Sequence, residues 1–184
     1  MKSVLLSIQP KWCELIASGR KTIEVRKTRP KTETPFKCYI YETKGKTDTP
    51  FMDEDGHLDF HGRGQVIGEF ICDKIRCEKE VADGLVDVVL ENTSCVGNKE
   101  LIKYANGKEL YSWHISGLVI YDKPKELSEF FVYCEGCDKR PIACEYLYEE
   151  SNESIGYYSE CKCDFKRPIK RPPQSWCYVE KESD

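Results

Sequence analysis

The stretch of the chain from Leu5 to Arg26 constrains the fold more than any other. A short apolar run is followed by Pro10, then by apolar residues at helical spacing, and then by Gly19. Proline favours the first position of a helix, and glycine favours the residue just past its last turn. The pattern therefore predicts a strand, a short helix and a second strand, with the apolar face of the helix formed by Trp12, Leu15 and Ile16.

The second strand of this unit carries polar side chains on a single face. Because side chains alternate along a strand, Thr22, Glu24 and Arg26 share one face, while Ile23 and Val25 point the other way. Together with a lysine at the start of the strand, this concentration of charge beside a helix end indicates a functional surface. A structural ion pair between Glu24 and Arg26 is the alternative interpretation.

Residues 19–26 spell the motif Gly-x-Lys-Thr-x-Glu-x-Arg, preceded by Ser-Ile-Gln-Pro at residues 7–10. This combination resembles the ASCH domain, a member of the PUA-like superfamily of small β-barrels linked to RNA and modified-base recognition. Residues 65–70, 111–124 and 171–176 resemble later parts of the domain, the last of them a tail found in versions from bacteria and bacteriophages. The resemblance implies a mostly β, α+β fold: a small PUA-like β-barrel with two or three short helices.

The resemblance also implies a binding site. In the PUA-like group, the cleft beside the first helix and the following strand receives a base or nucleotide. The guanidinium group of Arg26 can form a bidentate hydrogen bond with a phosphate or with the edge of a guanine base, and an indole ring can stack on an unpaired base. For Trp12 a place in the core, and for His114 a structural hydrogen bond, are the alternatives. The candidate residues for binding RNA or a modified nucleotide are Trp12, Lys21, Glu24, Arg26, His114, Gln174 and Trp176.

An enzyme acting in the same cleft is the alternative to a binding module, with Lys21 and Glu24 as the candidate catalytic residues. Some relatives are amidohydrolases that deacetylate acetylated cytidine. Lys21 matches their catalytic lysine, but their proposed nucleophilic threonine falls at Glu24. Other family members are ribonucleases, and a Lys–Glu pair near a basic groove can support acid–base cleavage of RNA.

Five of the eleven cysteines fall within residues 131–163, a segment with few apolar residues. The first two form Cys-x-x-Cys, a spacing typical of a zinc knuckle, and a polar segment gains stability from thiolate ligation of zinc. Free or partly buried thiols are the alternative. We expect a structural zinc ion held by four of Cys134, Cys137, Cys144, Cys161 and Cys163. Residues 131–163 are thus predicted to be a zinc-binding insertion in a barrel formed by residues 1–130 and 164–184.

Charge is distributed unevenly along the chain, whose formal net charge is −4. Residues 1–46 hold eleven Lys or Arg against four acidic residues, whereas residues 47–159 hold eleven against twenty-three. A basic lobe on an acidic body is compatible with RNA binding on one side, although ordinary surface charge explains it as well. A protein partner contacting the cysteine-rich insertion is a further hypothesis.

No apolar stretch is long enough to span a bilayer, and the run after Met1 is too short for a secretory signal. We therefore expect a cytoplasmic protein with no membrane partner and with reduced cysteines.

The remaining segments predict a small number of short elements. Strands are expected over residues 38–42, 65–77, 111–121 and 176–180, and a helical turn over residues 125–130. Asn98 is expected to cap a helix that ends at Ala105, and Gly68 to mark a bulge or a close backbone approach. Residues 78–96 are ambiguous, since residues 81–90 fit either a helix or a strand, and residues 43–64 are predicted to be a long loop.

Overall fold

The structure, a computed structural model, describes residues 3–52, 58–133 and 166–181. Its helices are α1 (Pro10–Ala17), α2 (Val88–Ser94) and α3 (Asn98–Ala105), with short 3-10 helices at Glu80–Asp83 and Leu127–Glu129. Its strands are β1 (Ser3–Ile8), β2 (Ile23–Arg26), β3 (Phe36–Glu42), β4 (Lys46–Met52), β5 (Leu58–His61), β6 (Val66–Glu78), β7 (Leu110–Lys125), β8 (Phe130–Tyr133), β9 (Lys166–Pro168) and β10 (Trp176–Lys181).

Eight strands form one mixed sheet in the order β2-β7-β6-β3-β1-β10-β8-β9, and β4 pairs with β5. Among the described strands of the large sheet, β1 and β3 pair in parallel and the other pairs are antiparallel. The mostly β, α+β fold is confirmed. The sheet is open, however, because in the described part of the chain the short edge strands β2 and β9 each pair with a single neighbour. The β-barrel implied by the resemblance is therefore not closed among these residues.

The opening unit folds as the sequence predicts. Pro10 occupies the first turn of α1, and Gly19 adopts a left-handed φ of 73° just beyond the helix. The N–H of Gly19 donates to the carbonyl of Ile16 over 2.9 Å, which ends the helix. The face that α1 buries is rotated from the predicted one, since Cys13 and Ile16 are buried whereas Trp12 is only partly buried.

The strand alternation predicted for β2 is also present. Val25 is buried with Leu90 of α2 and with Leu101 and Ala105 of α3, and Ile23 packs against the same cluster. Glu24 points to the other face of β2 and is paired across the sheet with Trp113 of β7. Helices α2 and α3 therefore cover one face of this edge strand and leave its charged residues on the other.

The main hydrophobic core lies between α1 and one face of the large sheet. It contains Leu6, Cys38, Phe70 and Trp113, one from each of four strands, together with Ile16 of α1. A second cluster on the other face of β1 contains Leu5, Tyr39, Phe130 and Val179. Since β1 is buried on both faces, it fixes the position of the helix and loop that follow it.

Several local predictions can be compared with the structure. A Cβ atom at Gly68 would lie 2.5 Å from the carbonyl oxygen of Val119, which confirms the predicted close approach. Residues 43–64 are not simply a loop, because β4 and β5 form an antiparallel pair there.

The N-cap of α3 is Gly97, and Asn98 is its first helical residue. Residues 78–96 contain a 3-10 helix and α2, whose N-cap Asp87 accepts a hydrogen bond from the N–H of Val89.

The predicted zinc-binding cysteines lie outside the described residues, so the structure leaves that prediction untested. Within the described ranges, no helix has the length and apolar character needed to cross a membrane.

Candidate nucleic-acid interface

A cleft of about 740 Å³ runs past the edge strand β2. One wall is formed by the end of β1 and the start of α1, including Gln9 and Trp12. A second wall comes from α3, and a third from the segment Pro172–Ser175 that precedes β10. Because β2 lines the base of the cleft, the motif residues of the sequence lie at its floor.

Lys21, Glu24 and Arg26, which we call the floor cluster, are in direct contact. The Lys21 Nζ atom is 3.2 Å from Glu24 Oε2, and the Arg26 Nη2 atom is 2.9 Å from Glu24 Oε1. Only 2% of Lys21, 6% of Glu24 and 7% of Arg26 is exposed to solvent. Each carboxylate oxygen of Glu24 therefore faces one cation in a nearly water-free setting.

Hydrogen bonds to three other parts of the chain hold the floor cluster in place. Lys21 Nζ donates to the carbonyl of Ser94, at the end of α2, over 2.7 Å. Arg26 Nη2 donates to the carbonyl of Ser7 in β1 over 2.8 Å, and Nη1 donates to Ser175 Oγ over 3.4 Å. The side-chain positions are thus set before any ligand arrives.

The floor cluster carries an excess positive charge and an unused donor. Two cations surround one carboxylate, so one positive charge is not balanced within the cluster. The Nε atom of Arg26 is buried and has no hydrogen-bond partner among the described residues. Buried donors are nearly always paired, so an unpaired one in a residue that lines the cleft is exceptional.

The segment before β10 is attached to β1 by hydrogen bonds. Ser7 donates through Oγ to the carbonyl of Pro173 over 2.6 Å, and its N–H donates to the carbonyl of Ser175 over 3.0 Å. These bonds place Gln174, which is exposed, along the cleft. The sequence predicted Gln174 as a ligand contact.

Trp12, one of the candidate ligand contacts, lines the cleft. The ammonium groups of Lys11 and Lys21 lie 4.2 and 5.2 Å from the centre of its ring. Since Trp12 is partly exposed, its ring is accessible from the cleft. Lys11 also pairs with Glu100 of α3 at 3.8 Å, which links the two walls.

Two of the predicted residues lie outside the cleft lining, namely His114 and Trp176. His114 pairs across the sheet with Ile23, on the face of β2 opposite the floor cluster. Its Nδ1 atom is 2.6 Å from Asp73 Oδ1, and this hydrogen bond lowers the pKa of the Asp73 carboxyl. The Trp176 indole N–H donates to Thr28 Oγ1 over 3.0 Å.

The cleft-lining residues that the sequence did not single out include Lys27, Lys103 and Tyr104. Lys103 and Tyr104 are exposed residues of α3, whose opposite side buries Leu101 and Ala105. The helix itself was predicted. Nothing in its local pattern shows that it packs beside β2, so its contribution to the cleft depends on tertiary structure.

The described residues contain no group of three or more His, Cys, Asp and Glu side chains suited to hold a metal ion. Burial raises the pKa of the Cys13 and Cys38 thiols well above the ordinary value, and raises that of Cys72 to about 12. These thiols are therefore neutral at physiological pH and unsuited to nucleophilic attack.

Comparison with known proteins gives the family. The ASCH domain model matches residues 6–162. The crystal structure of ASCH from Zymomonas mobilis is similar, with 18% identity, a TM-score of 0.52, and coverage of 98% of this chain and 90% of that chain. A mutant of the same Zymomonas mobilis protein gives 16% identity, a TM-score of 0.50 and the same coverage. At such low identities the likeness shows the fold alone. None of the curated proteins matches the sequence.

Because the family model covers most of the sequence, the chain belongs to the ASCH domain family, which is generally thought to bind RNA.

Proposed function

We propose that this ASCH domain binds RNA and holds one unstacked nucleotide or modified base in the cleft above the floor cluster. The observation that carries the proposal is the burial of two cations and one carboxylate at the base of an open cleft of about 740 Å³. Burying charged groups is costly, so strongly buried charges in a cleft are more typical of a functional site than of a stabilising contact.

The chemistry of the cleft suits a nucleotide. Glu24 can accept a hydrogen bond from an exocyclic amine, and Arg26 can donate to a base edge or to phosphate. Trp12 offers a ring on which a base can stack, as in many readers of single-stranded RNA. The volume is in the range of small-molecule sites, so one nucleotide fits with room for its neighbours at the open side.

The test is the affinity for a fluorescently labelled single-stranded RNA of about ten nucleotides, within the range of sites bound by small modules. Arg26→Lys keeps the charge but removes the planar fork and its Nε donor. We expect affinity to fall by about tenfold or more, since a good bidentate contact contributes about 1–3 kcal/mol. Melting temperatures of both proteins show whether the variant is folded.

Arg76→Lys is the matched control, because Arg76 is an exposed residue of β6 and does not line the cleft. It should leave the affinity unchanged. Equal losses in the two variants, or no loss in Arg26→Lys, would show that RNA does not contact the floor cluster.

A second candidate function is catalysis in the same cleft. The observation that favours it is the Lys21 ammonium, which lies 3.2 Å from Glu24 Oε2 in a buried position and matches the catalytic lysine of amidohydrolase relatives. Cleavage of labelled RNA on a denaturing gel tests ribonuclease activity, and release of acetate from acetylated cytidine tests deacetylation. An acid–base role requires that Lys21→Ala and Lys21→Arg both abolish the reaction. A binding role predicts intact substrates, and RNA affinity that Lys21→Arg largely preserves.

For the cysteine-rich segment we propose a structural zinc ion, because a Cys-x-x-Cys pair and three further cysteines lie close together in sequence. Metal analysis of the purified protein should find about one zinc per chain. Cys134→Ser should lower this content, whereas Cys77→Ser should not, since Cys77 is an exposed residue of β6. Purified protein without zinc would reject the site.

A further inference from the structure

The cleft has a second positively charged part, formed by Lys27, Lys103 and Tyr104, which we call the rim. We infer that the rim is a phosphate subsite, so that the ligand is a phosphorylated nucleotide of an RNA strand and not a free base or nucleoside. This inference rests on the proposed function of the cleft and adds the chemical class of its ligand.

The rim is brought together from two elements. Lys27 directly follows β2, whereas Lys103 and Tyr104 belong to α3. The Lys27 ammonium lies 4.8 Å from the centre of the Tyr104 ring. The packing of Leu101 and Ala105 of α3 in the cluster around Val25 fixes the helix beside the strand. The rim therefore has a defined position relative to the floor cluster.

The rim lysines form no ion pair with a carboxylate of the described residues. Among the described residues, neither Lys27 nor Lys103 has a carboxylate within 4.0 Å of its ammonium. Glu100 is only three positions from Lys103 on the same helix, but it pairs with Lys11 at 3.8 Å. Two cations at the open side of the cleft are thus left for an anion from outside the protein.

The charge of the whole lining leads to the same class of ligand. Four cations line the cleft, two from the floor cluster and two from the rim, against the carboxylates of Glu24 and Glu100. A neutral nucleoside would leave the excess charge unbalanced, whereas a phosphate group would compensate it. Separate phosphate and base contacts are general in nucleic-acid recognition: phosphate contacts position the strand, and base contacts determine which sequence is bound.

Tyr104 adds an aromatic ring to the rim, on which a base can stack. Its side chain is at the surface, with 37% of the residue exposed, and it lines the same cleft as Lys27. An aromatic ring beside a lysine at the mouth of a cleft can stack on the base next to the bound phosphate. A strand with at least two nucleotides would then contact the rim and the floor cluster together.

The experiment measures binding of the four nucleosides, their 5′- and 3′-monophosphates and a single-stranded RNA by calorimetry at several salt concentrations. We expect monophosphates to bind about tenfold more tightly than nucleosides, as expected for charge-assisted contacts to phosphate. In the double variant Lys27→Gln, Lys103→Gln this difference should vanish. The slope of log affinity against log salt concentration for RNA should fall by about 0.7 to 1.4, since each phosphate contact on a single strand contributes about 0.7.

Lys99→Gln is the matched control, because Lys99 is exposed on the same helix and does not line the cleft. It should leave both the phosphate preference and the salt slope unchanged. An equal fall in slope for Lys99→Gln would overturn the inference, because it would mean that overall surface charge is responsible.

The outcomes separate the inference from the proposed function. RNA binding that depends on Arg26 but keeps its salt slope in the rim variant, with nucleosides bound as tightly as monophosphates, would overturn the phosphate subsite and leave the proposed function standing. An absence of any RNA or nucleotide binding by the unmodified protein would overturn the proposed function and the inference with it.

Discussion

Two carboxylates in the same sheet, Glu24 and Glu69, each contact polar side chains, but they differ in their exposure to solvent. In the floor cluster, Glu24 contacts two cations and is almost completely buried. In the Glu69 cluster, formed by Glu69 of β6, Lys37 and Tyr121, the Glu69 carboxylate accepts hydrogen bonds from the Lys37 ammonium at 2.7 Å and from the Tyr121 hydroxyl at 2.5 Å. There the side chain of Lys37 is 39% exposed, so water screens the pair.

The difference shows that similar distances do not imply similar energies. A partly exposed pair costs little to form and contributes little, typically about 0 to 1 kcal/mol. A buried cluster costs several kcal/mol in desolvation, and apolar residues of similar volume often serve stability as well or better. We therefore assign the floor cluster to the proposed binding function, whereas the Glu69 cluster is a modest structural contact.

Glu24→Gln should produce the largest loss of stability. The variant keeps the shape of the side chain but removes the carboxylate that lies between Lys21 and Arg26. Because two buried cations then face each other without compensation, we expect the free energy of unfolding to fall by about 3–5 kcal/mol. Urea denaturation of both proteins at neutral pH measures the change. A loss below about 1 kcal/mol would place the cluster in the same energetic class as the exposed pair.

Lys21→Met should cost less than Glu24→Gln, although both remove one charge from the same cluster. The remaining Glu24–Arg26 pair is electrically balanced, and methionine fills much of the space of the lysine. The main loss is the hydrogen bond to the buried carbonyl of Ser94, which corresponds to about 1–3 kcal/mol. The same urea titration decides the order of the two variants. A larger loss for Lys21→Met would mean that the hydrogen bond, and not charge balance, dominates.

The parts of the site that could be predicted from sequence are those set by local geometry. Pro10 and Gly19 fixed the limits of α1, and the two-residue period of a strand placed Glu24 and Arg26 on one face. The same period shows that His114 and Trp113 lie on opposite faces of β7. It could not show which of them faces the same side as Glu24, because that depends on the register between β2 and β7.

The parts that could not be predicted depend on which elements meet. Residues 46–52 contain Thr47, Thr49 and Phe51 at alternate positions, a strand signal that the surrounding glycines and Pro50 obscured. Residues of the rim lie far apart in sequence, at positions 27 and 103–104, and no local rule joins them. Trp12 fits the apolar pattern of α1, yet the cleft beside it leaves it partly exposed.

Glu69→Gln should have a small effect that depends on pH. Burial by itself would raise the pKa of the Glu69 carboxyl, but the hydrogen bonds from Lys37 and Tyr121 outweigh it, so the pKa lies below the ordinary value of 4.5. The contribution of the carboxylate to stability is therefore fully present above about pH 4.5 and is lost as the pH falls through the lowered pKa.

At neutral pH we expect Glu69→Gln to cost about 1 kcal/mol or less, because the pair is partly exposed. Denaturation between neutral pH and pH 3 measures the difference in the free energy of unfolding between the variant and the unmodified protein. This difference should become smaller only at the acidic end. A difference that grows on acidification would have the wrong sign for a carboxyl with a lowered pKa.

His114→Gln should have the smallest effect of all, and it tests where the ligand ends. The imidazole and the Asp73 carboxylate are 43% and 45% exposed, so their hydrogen bond should contribute about 0.5 kcal/mol or less to stability. His114 also lies outside the cleft lining, so RNA affinity should not change in a titration that detects the loss in Arg26→Lys. Weaker RNA binding by His114→Gln, with Asp73→Asn behaving in the same way, would mean that the strand continues past β2 onto the outer face of β7. In that case the ligand would contact both faces of the edge strand, and the contrast between a functional buried cluster and merely structural exposed pairs would fail at this position.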